Sequence, residues 1–115
     1  MCGLVFAAST RPVEALVKAA HQRQHYRGPD GEGLYFQSLG HVYVGMAHQR
    51  LSIVDLSESG SQPMLSSSGR MRILFNGEIF NYRRLAESFG LRNLRSGTDT
   101  EVAVELIERL SLIHI

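Results

Sequence analysis

The apolar residues of this chain change their spacing from one segment to the next, and that change rules out most simple architectures. Residues 3–8 form a short apolar run with β-branched and aromatic members, the pattern of a buried strand. From Pro12 the repeat becomes helical, with Val13, Leu16, Val17 and Ala20 on one stripe and the proline in the first turn, where it is tolerated. Residues 26–33 then carry three glycines and a proline, which predicts a loop with tight turns. Two further runs, 34–38 and 41–47, flank Leu39-Gly40; Val42, Val44 and Met46 alternate onto one face, as in a hairpin strand. The serine-rich stretch 57–70 reads as a surface loop. Met71, Ile73 and Phe75 alternate as a strand running into Gly77, and 81–89 reads as a short helix. Thr98-Asp99-Thr100-Glu101 has capping-box spacing ahead of an apolar stripe of Val102, Leu106, Ile107 and Leu110. Strands and helices mixed without a regular βαβ alternation predict the α+β class.

Composition narrows the partners. With 115 residues, 43% hydrophobic and 20% charged, the chain suits one globular unit. Twelve basic and eleven acidic residues leave a net charge of +1 with no long block of one sign, so nothing in it points to nucleic acid. The apolar runs fall far short of the ~18 residues of a spanning helix, so no membrane is expected. The N-terminus lacks the features of a secretory signal, and a single cysteine excludes an internal disulfide; a cytoplasmic setting is the expectation.

That cysteine stands directly behind the initiator methionine. Once Met1 is removed, Cys2 carries both a thiol of pKa about 8.5 and a free α-amine of pKa about 8, so a nucleophile and a base of suitable strength belong to one residue. The plainer reading is a small buried residue opening a strand. Asn76-Gly77 has two readings as well. The side-chain amide and the unobstructed backbone N–H can converge on one developing oxyanion, or the pair can be an ordinary Asn-Gly turn.

Taken together, Met1-Cys2-Gly3, Arg27-Gly28-Pro29-Asp30-Gly31-Glu32-Gly33, Ala47-His48-Gln49-Arg50-Leu51-Ser52-Ile53-Val54-Asp55-Leu56, Gln62-Pro63-Met64, Phe75-Asn76-Gly77-Glu78-Ile79-Phe80-Asn81 and Thr98-Asp99-Thr100-Glu101 resemble the N-terminal glutaminase domain of glutamine-hydrolysing asparagine synthetases. The resemblance covers residues 1–110. It implies a class II glutamine amidotransferase, an N-terminal-nucleophile hydrolase with a four-layer αββα sandwich. It further implies that Cys2 attacks the glutamine side-chain amide to give a glutamyl thioester and ammonia, with Asn76 and Gly77 as the oxyanion pair. Arg50 then clamps the substrate α-carboxylate, Asp99 with Glu78 nearby holds the α-ammonium, and the backbone of Leu51, Ser52, Ile53 and Val54 lines the same pocket. L-glutamine is the implied substrate and needs no cofactor; ATP and Mg are expected only in a C-terminal synthetase domain, the implied partner, which amidates activated aspartate. A homodimer is expected of the full-length protein.

Duller readings accompany these roles. Asp99 also lies in a first helical turn, where a carboxylate is favourable by about 0.3 to 1 kcal/mol; Arg50 alone reads as a surface charge. His21 and His25 are one turn apart, yet no acidic or sulfur ligand accompanies them at a useful spacing, so no metal is expected. Phe6 stands where the family commonly has glycine, and Tyr26 where it usually has histidine. The chain stops well before the family's last strands, and 111–115 reads as a tail unlike the family, so a truncated and marginally stable unit is expected. The alternatives are a non-catalytic fragment, or the glutaminase of another class II amidotransferase with a different acceptor.

Overall fold

A computed structural model describes residues 2–52 and 57–113. Strand β1 (Gly3–Ser9), helix α1 (Glu14–Arg23), strands β2 (Gly31–Leu39) and β3 (Val42–Arg50), two short strands β4 (Met64–Leu65) and β5 (Arg72–Ile73), and helices α2 (Tyr82–Ser88) and α3 (Asp99–Ile113) follow in order. Single 3₁₀ turns lie at His25–Arg27 and Glu58–Gly60. The class is α+β, as the mixed periods require. Among the described residues no helix is long and apolar enough to cross a membrane.

One sheet has the order β1-β3-β2, antiparallel throughout. Its hairpin turns at Gly40, whose φ of +63° favours glycine. Val5, Ala7, Ala47 and Phe36 face α1 and close over Val13 and Val17. The helix rests on the sheet along an i, i+4, i+8 line of Val13, Val17 and His21. This line is narrower than the predicted stripe: Leu16 falls on its flank and stays 66% exposed. Gly45 permits the close approach, since a Cβ there would come within 2.8 Å of the Val17 side chain.

The second unit pairs β4 with β5 and packs Ala86 of α2 against Val102 and Leu106 of α3. Ile107 and Leu110, expected on the buried stripe, are exposed, and Ala103 and Val104 are buried in their place. Helix α3 also covers β4 and β5, which rotates its buried face toward the ladder.

Three boundaries differ from the sequence reading. Strand β2 begins at Gly31, inside the predicted loop, because Gly31 pairs with Arg50 and Gly33 with His48. Gly33 is a contact position rather than a turn: a Cβ there would lie 1.8 Å from the carbonyl oxygen of Gln62. The serine-rich stretch is no simple surface loop, since Gln62, Met64 and Ser66 are buried in alternation and Met64–Leu65 is a strand. Strand β5 stops at Ile73 rather than running to Phe75, where a side chain replaces the strand partner, as described below.

Candidate active site

Antiparallel pairing of β1 with β3 sets Gly3 opposite Gln49, so the head of β1 arrives beside the end of β3. Cys2 is half-buried there. Its sulfur accepts the Leu51 N–H at 3.4 Å and lies 3.7 Å from the Leu51 carbonyl, while the Arg27 Nε–H donates to the Cys2 carbonyl at 3.4 Å. Sulfur and backbone are therefore both located, by partners 49 and 25 residues away in sequence.

The glycine-rich segment 27–31 holds the end of β3. The buried Gln49 amide donates to the carbonyls of Gly28 (2.6 Å) and Gly31 (3.3 Å). The Asp30 N–H donates to the Arg50 carbonyl at 3.0 Å, and the Asp30 carboxylate accepts the Ser52 N–H at 2.8 Å. Gly28 lies so near that a Cβ would sit 2.4 Å from the Arg50 carbonyl carbon. Arg50 is 8% exposed, and its Nη1 donates to the Ser57 carbonyl at 2.5 Å. A Cβ on Gly60 would meet its Nη2 at 2.4 Å, so the glycine leaves room for the guanidinium.

Opposite these groups, Asn76, Gly77 and Glu78 are exposed on an irregular segment between β5 and α2. Gln62 bonds the backbone of Phe75 at one end of it, and the buried Asp99 carboxylate accepts the Ile79 N–H at 2.8 Å at the other. Asp99 is carried by the first turn of α3, which is capped more elaborately than a capping box. Thr98 Oγ1 accepts the Glu101 N–H at 3.3 Å, as predicted. The Glu101 carboxylate reaches further back, to the Arg95 and Ser96 N–H groups and the Ser96 hydroxyl, each at 2.7 Å. Burial pushes the Glu101 carboxyl up, but these bonds together outweigh it and hold the group below the usual carboxylate range.

These elements enclose a cavity of about 330 Å³, at the small end of ligand pockets. It is lined by all eight of the expected site residues that are described: Cys2, Arg50, Leu51, Ser52, Asn76, Gly77, Glu78 and Asp99. Ile53 and Val54 lie outside the described residues. A cation, a buried carboxylate, an exposed amide and a thiol thus face one space, which suits a small zwitterion with a reactive carbonyl. The cavity wall also includes His48, Gly60, Gln62, Phe75, Thr98 and Thr100, to which the sequence assigns no part in the chemistry. All but Gly60 lie within the motifs that carry the resemblance, whereas Gly60 has no signal of its own.

His48 is 1% exposed and neither ring nitrogen makes a hydrogen bond of full geometry, although the Phe75 backbone lies near enough to favour the charged ring slightly. Burial, then the charge of Arg50, lowers its pKa to about 4, so the ring is neutral at pH 7. Of the two histidines weighed for a metal, His21 instead meets the Glu32 carboxylate at 3.0 Å. No group of three His, Cys, Asp or Glu is placed to hold a metal ion among the described residues.

A thiol at a strand end, facing an amide–glycine pair across one small cavity, is an arrangement whose groups have the chemistry that acyl transfer calls for. A family model described as a glutamine amidotransferase domain matches residues 1–112, and the chain belongs to that family. It is 38% identical over 94% of its length to asparagine synthetase [glutamine-hydrolyzing] 2 of Bacillus subtilis, spanning 15% of that protein. Asparagine synthetase [glutamine-hydrolyzing] 1 of the same organism is 35% identical over 92% of the chain and 17% of its own length. Amidase chry2 of Gibberella zeae is 37% identical over 78% of the chain and 13% of its own length. The chain thus spans a quarter or less of the curated relatives it matches.

Proposed function

We propose that this chain is the glutaminase part of a glutamine-hydrolysing asparagine synthetase, with Cys2 as nucleophile. The observation that supports it is the single cavity shared by Cys2, Arg50, Asn76, Gly77 and Asp99. Removal of Met1 frees the Cys2 amine, which takes the thiol proton as the sulfur bonds to the δ-carbon of glutamine. The carbonyl π pair moves to oxygen, where the Asn76 amide and Gly77 N–H receive it. Collapse breaks the C–N bond, the amine returns its proton to the leaving nitrogen, and ammonia departs; water then cleaves the thioester to glutamate. Arg50 takes the α-carboxylate in a planar fork, and Asp99 with Glu78 takes the α-ammonium. The carboxylate and ammonium contacts select the free amino acid over a glutaminyl peptide.

Residues 1–110 are read as part of a four-layer αββα sandwich whose remaining strands, and a synthetase domain using ATP and Mg on aspartate, belong to the longer protein, a homodimer of the cytoplasm. A relative called an amidase rather than a synthetase keeps a second reading open, in which the same glutaminase serves a protein with a different acceptor. Incubation with L-glutamine tests the site: glutamate is released by the wild-type chain and lost in Cys2→Ala or when any residue is retained ahead of Cys2. Absence of cysteine-dependent release would leave a non-catalytic fragment.

A further inference from the structure

We infer that Gln62 is a positioning residue for the oxyanion hole, its side-chain amide holding the backbone that carries Asn76 and Gly77. The inference rests on the role just proposed for that pair. The β4–β5 ladder ends at Ile73, and Phe75 lies beyond it. Gln62 supplies the missing partner with a side chain. Its Oε1 accepts the Phe75 N–H at 2.6 Å and its Nε2 donates to the Phe75 carbonyl at 3.2 Å, reproducing the two-bond exchange of paired strands. Nε2 also donates to the Thr100 hydroxyl at 3.3 Å, in the first turn of α3 beside Asp99.

Gln62 is 8% exposed and its own carbonyl is packed against Gly33, so it is fixed from the β2 side as well. Asp99 holds the other end of the segment through Ile79. Residues 76–78 are therefore slung between two side-chain anchors that both refer to the start of α3. Asn76 and Gly77 are exposed and outside the β4–β5 ladder, and an oxyanion hole works only when its donors are preset against the reacting atom. Loss of Gln62 frees the hole without touching the nucleophile.

Gln62→Leu removes the three bonds at similar size. Expected is a roughly 10- to 100-fold fall in kcat for glutamine hydrolysis, with KM within about threefold of wild type. Inhibition by the γ-aldehyde analogue of glutamine weakens by the same factor, because addition of the Cys2 sulfur to that carbonyl also places an oxyanion in the hole. Alkylation of Cys2 by iodoacetamide, which displaces iodide and uses no oxyanion donor, keeps its wild-type rate. Gln62→Glu retains the acceptor for the Phe75 N–H but donates only when its carboxyl is protonated, so its activity relative to wild type rises toward acid pH. An unchanged kcat in Gln62→Leu, or equal losses in hydrolysis and alkylation, overturns the inference. If the wild type itself does not hydrolyse glutamine, or hydrolysis survives Cys2→Ala, the reading of the site fails and the inference falls with it. Cys2-dependent hydrolysis that is indifferent to Gln62 overturns the inference alone.

Discussion

At the scale of single residues, His48 carries the clearest pH signature. The folded protein keeps it neutral, with a pKa of about 4 against an ordinary value of 6.5. Between those values the unfolded chain binds more protons, so stability is complete above pH 6.5 and declines as pH falls toward 4, by about 3 kcal/mol in all. Urea unfolding of the wild type from pH 7 to 4 measures the slope. His48→Leu should flatten it at little cost near pH 7, since the Phe75 backbone beside the ring is too poorly placed for a full hydrogen bond. The residue-level chemistry was legible unevenly. Cys2, Arg50, Asn76 and Asp99 stand out in the sequence because a motif surrounds each, and the structure brings all four to one cavity. Gly31 and Gly33 belong to β2 rather than to a turn, and only Gly33 is required by a close neighbour, Gln62, 29 residues on, which leaves the same local signal as a turn.

At the scale of elements, the start of α3 is held less by its threonine cap than by a carboxylate that bends back over it. Glu101 is 2% exposed and binds the Arg95 and Ser96 backbone. Glu101→Ala removes the shared acceptor of the Arg95 and half-buried Ser96 N–H groups and of the Ser96 hydroxyl, so a loss of about 2 to 4 kcal/mol is expected, against about 1 kcal/mol for Thr98→Ala. Thermal unfolding of the two variants checks the order; a larger effect at Thr98 would contradict it. The capping-box spacing announced a helix start, but not the reach of Glu101 past its cap, which depends on how 95–97 turn. Strand β5 shows the same limit. Alternation of Met71, Ile73 and Phe75 signals extended chain, yet the partner at Phe75 is a side chain from residue 62, which no periodicity reveals.

At the scale of the molecule, the two faces of the three-stranded sheet are treated differently. Phe36 packs with Val13 and Val17 under α1, while Leu4 and Phe6 on the opposite side of β1 are 38% and 60% exposed. Phe36→Ala should cost about 3 kcal/mol, and Phe6→Ser should stay within about 0.5 kcal/mol while reducing binding of an apolar dye. Chemical denaturation of both variants tests whether one face alone supports the fold. The α+β class was visible from the change of period along the chain, whereas the pairing of β1 with β3, which brings residue 2 to residue 51, is a long-range fact that local patterns do not contain. That pairing is what brings Cys2 to the cavity, and the proposed attack on glutamine depends on it. Intact-mass spectrometry after acid quenching in excess L-glutamine tests this most directly. A glutamyl adduct confined to Cys2, on a chain that has lost Met1 and absent from Cys2→Ala, is the expected result; glutamate release with no adduct and with Met1 retained would rule out Cys2 as the nucleophile.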